Sequence, residues 1–199
     1  MVSIYFMINA LFKTRIMRQA SGWLFLISNA FLFTSNLTMP NMNLLQFLAA
    51  ILFITCSLSL ILSAYDYRFL FWGGITIIIA YGLTSVSANA DAPGIEYFGI
   101  ITGLIAGLLI LRAAFQRHTG RQFNLPGFLN WLDRYPLASA GAIEGSGCVL
   151  ISIGAAEAED IRLFITAILW TLAHVMLVIS DEYLRCAFEA RFKCDKGKE

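Results

Sequence analysis

The chain has 199 residues, of which 58% are apolar and 14% charged, and its net charge is +1. A soluble domain carries nearer about 25% charged residues, so this composition excludes water as the main solvent. The absence of a dense Lys/Arg run interleaved with aromatics excludes nucleic acid as a partner.

The partner it does imply is a lipid bilayer. Crossing the ~30 Å hydrocarbon layer takes roughly 18 or more apolar residues in a helix, and a backbone in lipid must satisfy its own hydrogen bonds. The apolar runs here are long and continuous, whereas barrel strands alternate. The expected fold is therefore all-α, a polytopic integral membrane helical bundle that forms a single transmembrane domain over residues 1–199.

In chain order, residues 1–19 come first and are expected to form a cytoplasmic or interfacial segment. Its apolar stretch, Met1 to Phe12, is too short to span and precedes Lys13, Arg15 and Arg18, the reverse of the order in a cleaved signal peptide. A short interfacial or re-entrant helix is predicted there. Six spans follow within residues 21–179: Ser21 to Leu37, Leu44 to Ala64, Phe69 to Ser87, Tyr97 to Leu111, Leu137 to Ala155 and Ile161 to Ile179. They pair into three hairpins through the loops Asn36 to Asn43, Ala88 to Glu96 and Ala156 to Asp160. Residues 116–135 carry their own amphipathic helix signal, with Asn124 as cap, Pro126 in the first turn and Phe128, Leu129, Trp131, Leu132 and Tyr135 as apolar bulk. That segment is expected to lie along the cytoplasmic interface. Residues 181–199 alternate in charge and read as a solvated cytoplasmic tail.

Orientation follows from the basic residues, which accumulate in cytoplasmic loops. Of the 14 Lys and Arg, all but Arg162 fall before the first span, after the second and fourth spans, or in the tail. The opposite loops carry Asp91, Glu96, Glu157, Glu159 and Asp160. Both termini are therefore predicted to be cytoplasmic, and helical spans of this kind fit a bacterial inner membrane.

One residue breaks the hydrophobic pattern most sharply. Glu144, in the run Ala142-Ile143-Glu144-Gly145-Ser146-Gly147-Cys148, is the only acidic residue inside a span. A charged group at mid-membrane costs about 2.5 kcal/mol or more on insertion scales, so it needs a protein or water partner. The fifth and sixth spans form an antiparallel hairpin centred near Glu159, and Glu144 and His174 each lie fifteen residues from that centre. Equal depth makes His174 the expected partner in a proton- or ion-binding pair, some 9 to 12 Å into the membrane at ~1.5 Å per residue. Ser28, Asn29, Tyr81 and Ser146 lie at comparable depth and are candidates for a polar cavity. Gly99, Gly103 and Gly107 recur along one face of the fourth span and are expected to pack closely against another helix or a second copy of the chain.

Ser146 and the later His174 superficially resemble the serine and histidine of rhomboid proteases. Glu144, however, stands where that family has the first glycine of its Gly-x-Ser-Gly motif, and the family's glycine spacing after the histidine is missing. No family membership is claimed, and no catalytic residue is assigned. Cys56, Cys148, Cys186 and Cys194 show no zinc-ligand spacing. No cofactor motif or metal site is present, and an enzyme is not expected. The expected function is a small transporter or channel-like protein with a proton- or cation-linked site near mid-membrane. The alternative is a non-transporting subunit, sensor or scaffold that engages a membrane-protein partner through its cytoplasmic loop and tail.

Overall fold

A computed structural model of the chain describes residues 2–37, 43–87, 94–123, 125–186 and 190, with side chains described at 14–34, 43–87, 97–123, 125–186 and 190. Seven helices are present among them: α1 (Val2–Leu37), α2 (Leu44–Ser63), α3 (Arg68–Ser87), α4 (Gly94–Thr119), α5 (Gly127–Arg134), α6 (Pro136–Glu157) and α7 (Ile161–Ile179). The described residues contain no strand. Among the described residues, five segments are long and apolar enough to cross a membrane: α2, α3, Tyr97–Thr119 of α4, α6 and α7.

The N-terminal segment differs from expectation. Val2 to Leu37 is one helix of 36 residues, about 54 Å long at ~1.5 Å per residue, so no break separates residues 2–19 from the rest of α1. The physical reason lies in composition: the stretch contains no proline and only one glycine, Gly22, and its basic residues are good helix formers. Nothing interrupts the hydrogen-bond ladder between the apolar start and the span. Arg18, Gln19, Ser21, Ser28 and Asn29 dilute the apolar character of α1, which is why it falls outside the five most apolar segments.

At the loop helix, Pro126 itself takes the N-cap position of α5 without a side-chain cap bond. The predicted cap Asn124 lies outside the described residues, as do the tail at 187–189 and 191–199, with Cys194, and most of the first two hairpin loops. The third turn is tight. Asp160 accepts hydrogen bonds from the Arg162 and Leu163 N–H groups, both at 3.1 Å, and starts α7.

Each of the six long helices packs on two others: α1 on α2 and α7, α2 on α3, α3 on α4, α4 on α6, and α6 on α7. They form a closed ring in chain order, with α5 resting against α4 and α6 at one end. Leu60, Leu70, Ile77, Ala106, Ile110, Leu137, Ala140 and Leu177 fill the interior. Trp23, Leu58, Trp72, Ile79, Ile101, Leu108, Ile153 and Val175 are exposed on the outside. A soluble protein does not leave so much apolar surface in water; a bilayer requires it. The chain is an all-helical protein built for a membrane.

Small residues set the helix spacing. A Cβ on Gly103 would overlap the Tyr81 ring, and one on Gly107 would lie 2.6 Å from Ile78 Cγ1, so both glycines are filled by α3. Gly99 instead faces α6, 3.5 Å from Ile151 by the same measure. The glycine stripe thus serves packing within the ring.

Candidate functional site

The α6–α7 contact is made close by glycine. A Cβ on Gly141 would lie 2.8 Å from the His174 carbonyl oxygen, and one on Gly145 would lie 3.0 Å from His174 Cβ. Their lack of side chains lets the two backbones approach, which brings Glu144 beside the His174 ring. Glu144 Oε2 lies 3.1 Å from His174 Nε2. Both residues are buried, at 6% and 2% exposure. The oxygen lies off the direction of the ring N–H, so Nε2 makes an ion-pair contact rather than an aligned hydrogen bond.

The other ring nitrogen settles the tautomer. His174 Nδ1 is 2.7 Å from the Trp170 carbonyl oxygen, one turn earlier on α7. A carbonyl only accepts, so Nδ1 carries a hydrogen and donates it. Cys148 Sγ, at 3.8 Å, flanks the same nitrogen. With Nδ1 so occupied, Nε2 and the Glu144 carboxyl are the two places where an exchangeable proton can sit, giving neutral acid and imidazole or carboxylate and imidazolium.

Tyr81 completes the group from α3, its hydroxyl donating to Glu144 Oε1. Phe25 of α1 meets the His174 ring edge-on at 4.7 Å, and Phe53 of α2 meets Tyr81 edge-on at 5.0 Å. Aromatic edges carry partial positive charge and faces partial negative charge, so these contacts orient the rings while keeping the pair dry. Next to the pair, Asn29 ties three helices together. Its Nδ2 donates to Ser57 Oγ at 3.1 Å on α2, and its Oδ1 accepts from Trp170 Nε1 at 3.0 Å on α7.

The structure therefore gathers Glu144, His174 and Tyr81 into one cluster with Asn29 adjoining. Two of the sequence candidates do not join it. Ser28 is buried, but its hydroxyl donates to the Leu24 carbonyl of its own helix at 2.8 Å. Ser146 is exposed on the outside of α6 and donates to the Ile143 carbonyl at 2.6 Å. Two residues beyond Glu144 on a helix turn the side chain about 200° away, so Ser146 cannot share its cavity or form a dyad with His174.

Sequence reasoning missed Cys148 and Trp170, although both stand one turn from a site residue, at i+4 from Glu144 and i−4 from His174, a spacing that places them on the same faces. It also missed a buried charged cluster around Arg18 at one end of the ring. The described residues contain no group of three or more His, Cys, Asp or Glu side chains placed to hold a metal ion. No protein-family model, curated protein or solved structure matches the chain.

Proposed function

We propose that the protein is a small transporter or channel-like membrane protein that carries a proton on the Glu144–His174 pair, with α1 supplying a sixth span and both termini in the cytoplasm. The single observation behind this is an acid and a base 3.1 Å apart in the interior of a closed helical ring, one nitrogen of the base being committed to a backbone carbonyl. Intramembrane ionisable residues that face a bundle interior mark ion and proton paths. Tyr81 and the misaligned Nε2 contact support the same reading, because a proton held loosely between two acceptors is one that can leave. A cation that displaced the proton would meet the carboxylate with a neutral imidazole beside it. The basic end of the ring faces the cytoplasm by the positive-inside rule. In a bacterium the membrane is the inner one, since single-chain outer-membrane spans are barrels.

The test is proton flux into vesicles that carry the purified protein and an interior pH dye. Glu144→Gln keeps the shape of the side chain and removes its proton chemistry. We expect it to abolish flux while insertion and monodispersity stay normal, and to alter the titration of the His174 ¹⁵N signals. Unchanged flux in this variant would sink the proposal. It would favour the second reading, a non-transporting subunit, sensor or scaffold, for which the exposed Phe128, Leu129 and Trp131 on α5 offer a docking face.

A further inference from the structure

Arg18 is the least expected buried residue, at 4% exposure. Its Nη1 donates to the Ser63 carbonyl at the end of α2, and its Nη2 donates to the Ser180 carbonyl just past α7, both at 3.3 Å. The same Nη2 lies 3.6 Å from Glu182 Oε1. Glu182 uses its other oxygen to pair with Arg117 near the end of α4. Beside them, Asp181 Oδ2 accepts the Ala138 N–H at 2.9 Å and so holds the start of α6. The charged cluster thus bridges α1, α2, α4, α6 and α7 at the basic end of the ring.

One layer deeper, Leu60, Ile110 and Leu177 are buried at 2% exposure or less. His174 comes next, one turn beyond Leu177. From this end, an ionic layer and an apolar layer therefore stand between water and the Glu144–His174 pair. On the other side of the pair the interior stays polar, with Asn29, Ser57 and Trp170 in direct contact.

The ionic layer is not tightly made. A cavity of about 10 Å³ adjoins Arg18, Gln116, Arg117, Asp181, Glu182 and Tyr183, room for about one water. Both amide atoms of Gln116 and the Nε of Arg18 are buried without a hydrogen-bond partner. Burial, with Arg117 nearby, lowers the Arg18 pKa to about 10, against the opposing pull of Asp181. A polar group buried without a partner costs free energy that opening to bulk water recovers.

We infer that the Arg18–Glu182–Arg117 cluster is a gate at the basic end of the ring, and that its release admits water past the Leu60–Ile110–Leu177 layer to the Glu144–His174 pair. This rests on the transport reading for its purpose but not for its test. Cys56, one turn from Leu60, and Cys148, against His174, are native thiols buried behind the gate. In a full-length chain with Cys186→Ser and Cys194→Ser, labelling of Cys56 and Cys148 by a small charged methanethiosulfonate applied to inside-out vesicles reports access from the basic end.

The closed gate should make labelling slow, and Glu182→Gln should speed it at least tenfold. Arg117→Gln, at a half-exposed position, is the second variant and should speed it by a smaller factor. Both variants must unfold within a few degrees of the parent. Labelling rates unchanged in both folded variants, or a parent already labelled as fast as a denatured control, would overturn the gate. Loss of flux in Glu144→Gln does not bear on these rates, so the two proposals fail separately.

Discussion

The ring holds two buried charged clusters that solve the same problem in different ways. At mid-ring, Glu144 has one base, one phenol and aromatic edges around it, and every partner is a side chain from a different helix. At the basic end, Arg18 leans on two backbone carbonyls and shares Glu182 with Arg117. The first cluster balances one acid against one base with nothing to spare. The second spreads its charge over redundant partners beside a cavity. Removing one member of the mid-ring pair leaves the other buried without its partner, whereas at the basic end Arg18 and Arg117 meet in one shared carboxylate, Glu182.

Three substitutions or conditions sharpen that contrast. The largest effect is expected from His174→Ala, which leaves the carboxylate with Tyr81 alone. Stripping one partner from a buried pair costs about 3–5 kcal/mol, read as a lowered unfolding temperature in detergent, and Glu144→Ala/His174→Ala together should recover part of the loss. An additive double variant would show that the pair is not coupled. Arg18→Met should cost less, on the order of 1–2 kcal/mol, because the hydrogen bonds it ends are to carbonyls and Glu182 keeps Arg117. A loss as large as that of His174→Ala would erase the distinction between the clusters.

The smallest effect concerns a third pair near the basic end, Arg112 Nε and Asp133 Oδ1 at 2.5 Å. Burial opposes the charged carboxylate, but the Arg112 guanidinium and the Phe123 N–H outweigh it and hold the Asp133 pKa below its ordinary value of 3.8. A depressed carboxylate pKa adds stability that is fully present above the unfolded pKa and is lost as pH falls through the folded one. The tie between α4 and the segment before α6 should therefore hold at neutral pH and loosen only below about pH 3.8. Amide exchange at Phe123 is the readout, and protection that already fades near pH 6 would contradict it.

Much of this architecture can be read without coordinates, for definite reasons. A tight turn at Glu159 makes depth along α6 and α7 a matter of counting, so Glu144 and His174 could be placed level with one another. The helical repeat likewise puts Ser146 on the far side from Glu144, and naming it a cavity residue overlooked that rotation. Tyr81 could be assigned to the right depth but not to Glu144, because the rotation of α3 against α6 is fixed by Gly103 yielding space to the phenol ring. Arg18 and Asp181 lie at segment ends where solvation is the usual expectation. Their burial follows from α1 meeting α7, a contact between helices more than a hundred residues apart that no local pattern encodes.

That α1 lies against α7 has a bearing on how the chain is made. The Trp170–Asn29 and Arg18–Ser180 bonds join α1 to α7, so the ring cannot shut until α7 has been made. Until α7 leaves the ribosome, Glu144 waits in the bilayer without its imidazole and Arg18 without one of its two carbonyls. The newborn protein therefore passes through an interval in which its acid and its cation both lack the partners that α7 brings. A chain stopped short of α7 would leave both residues without these partners.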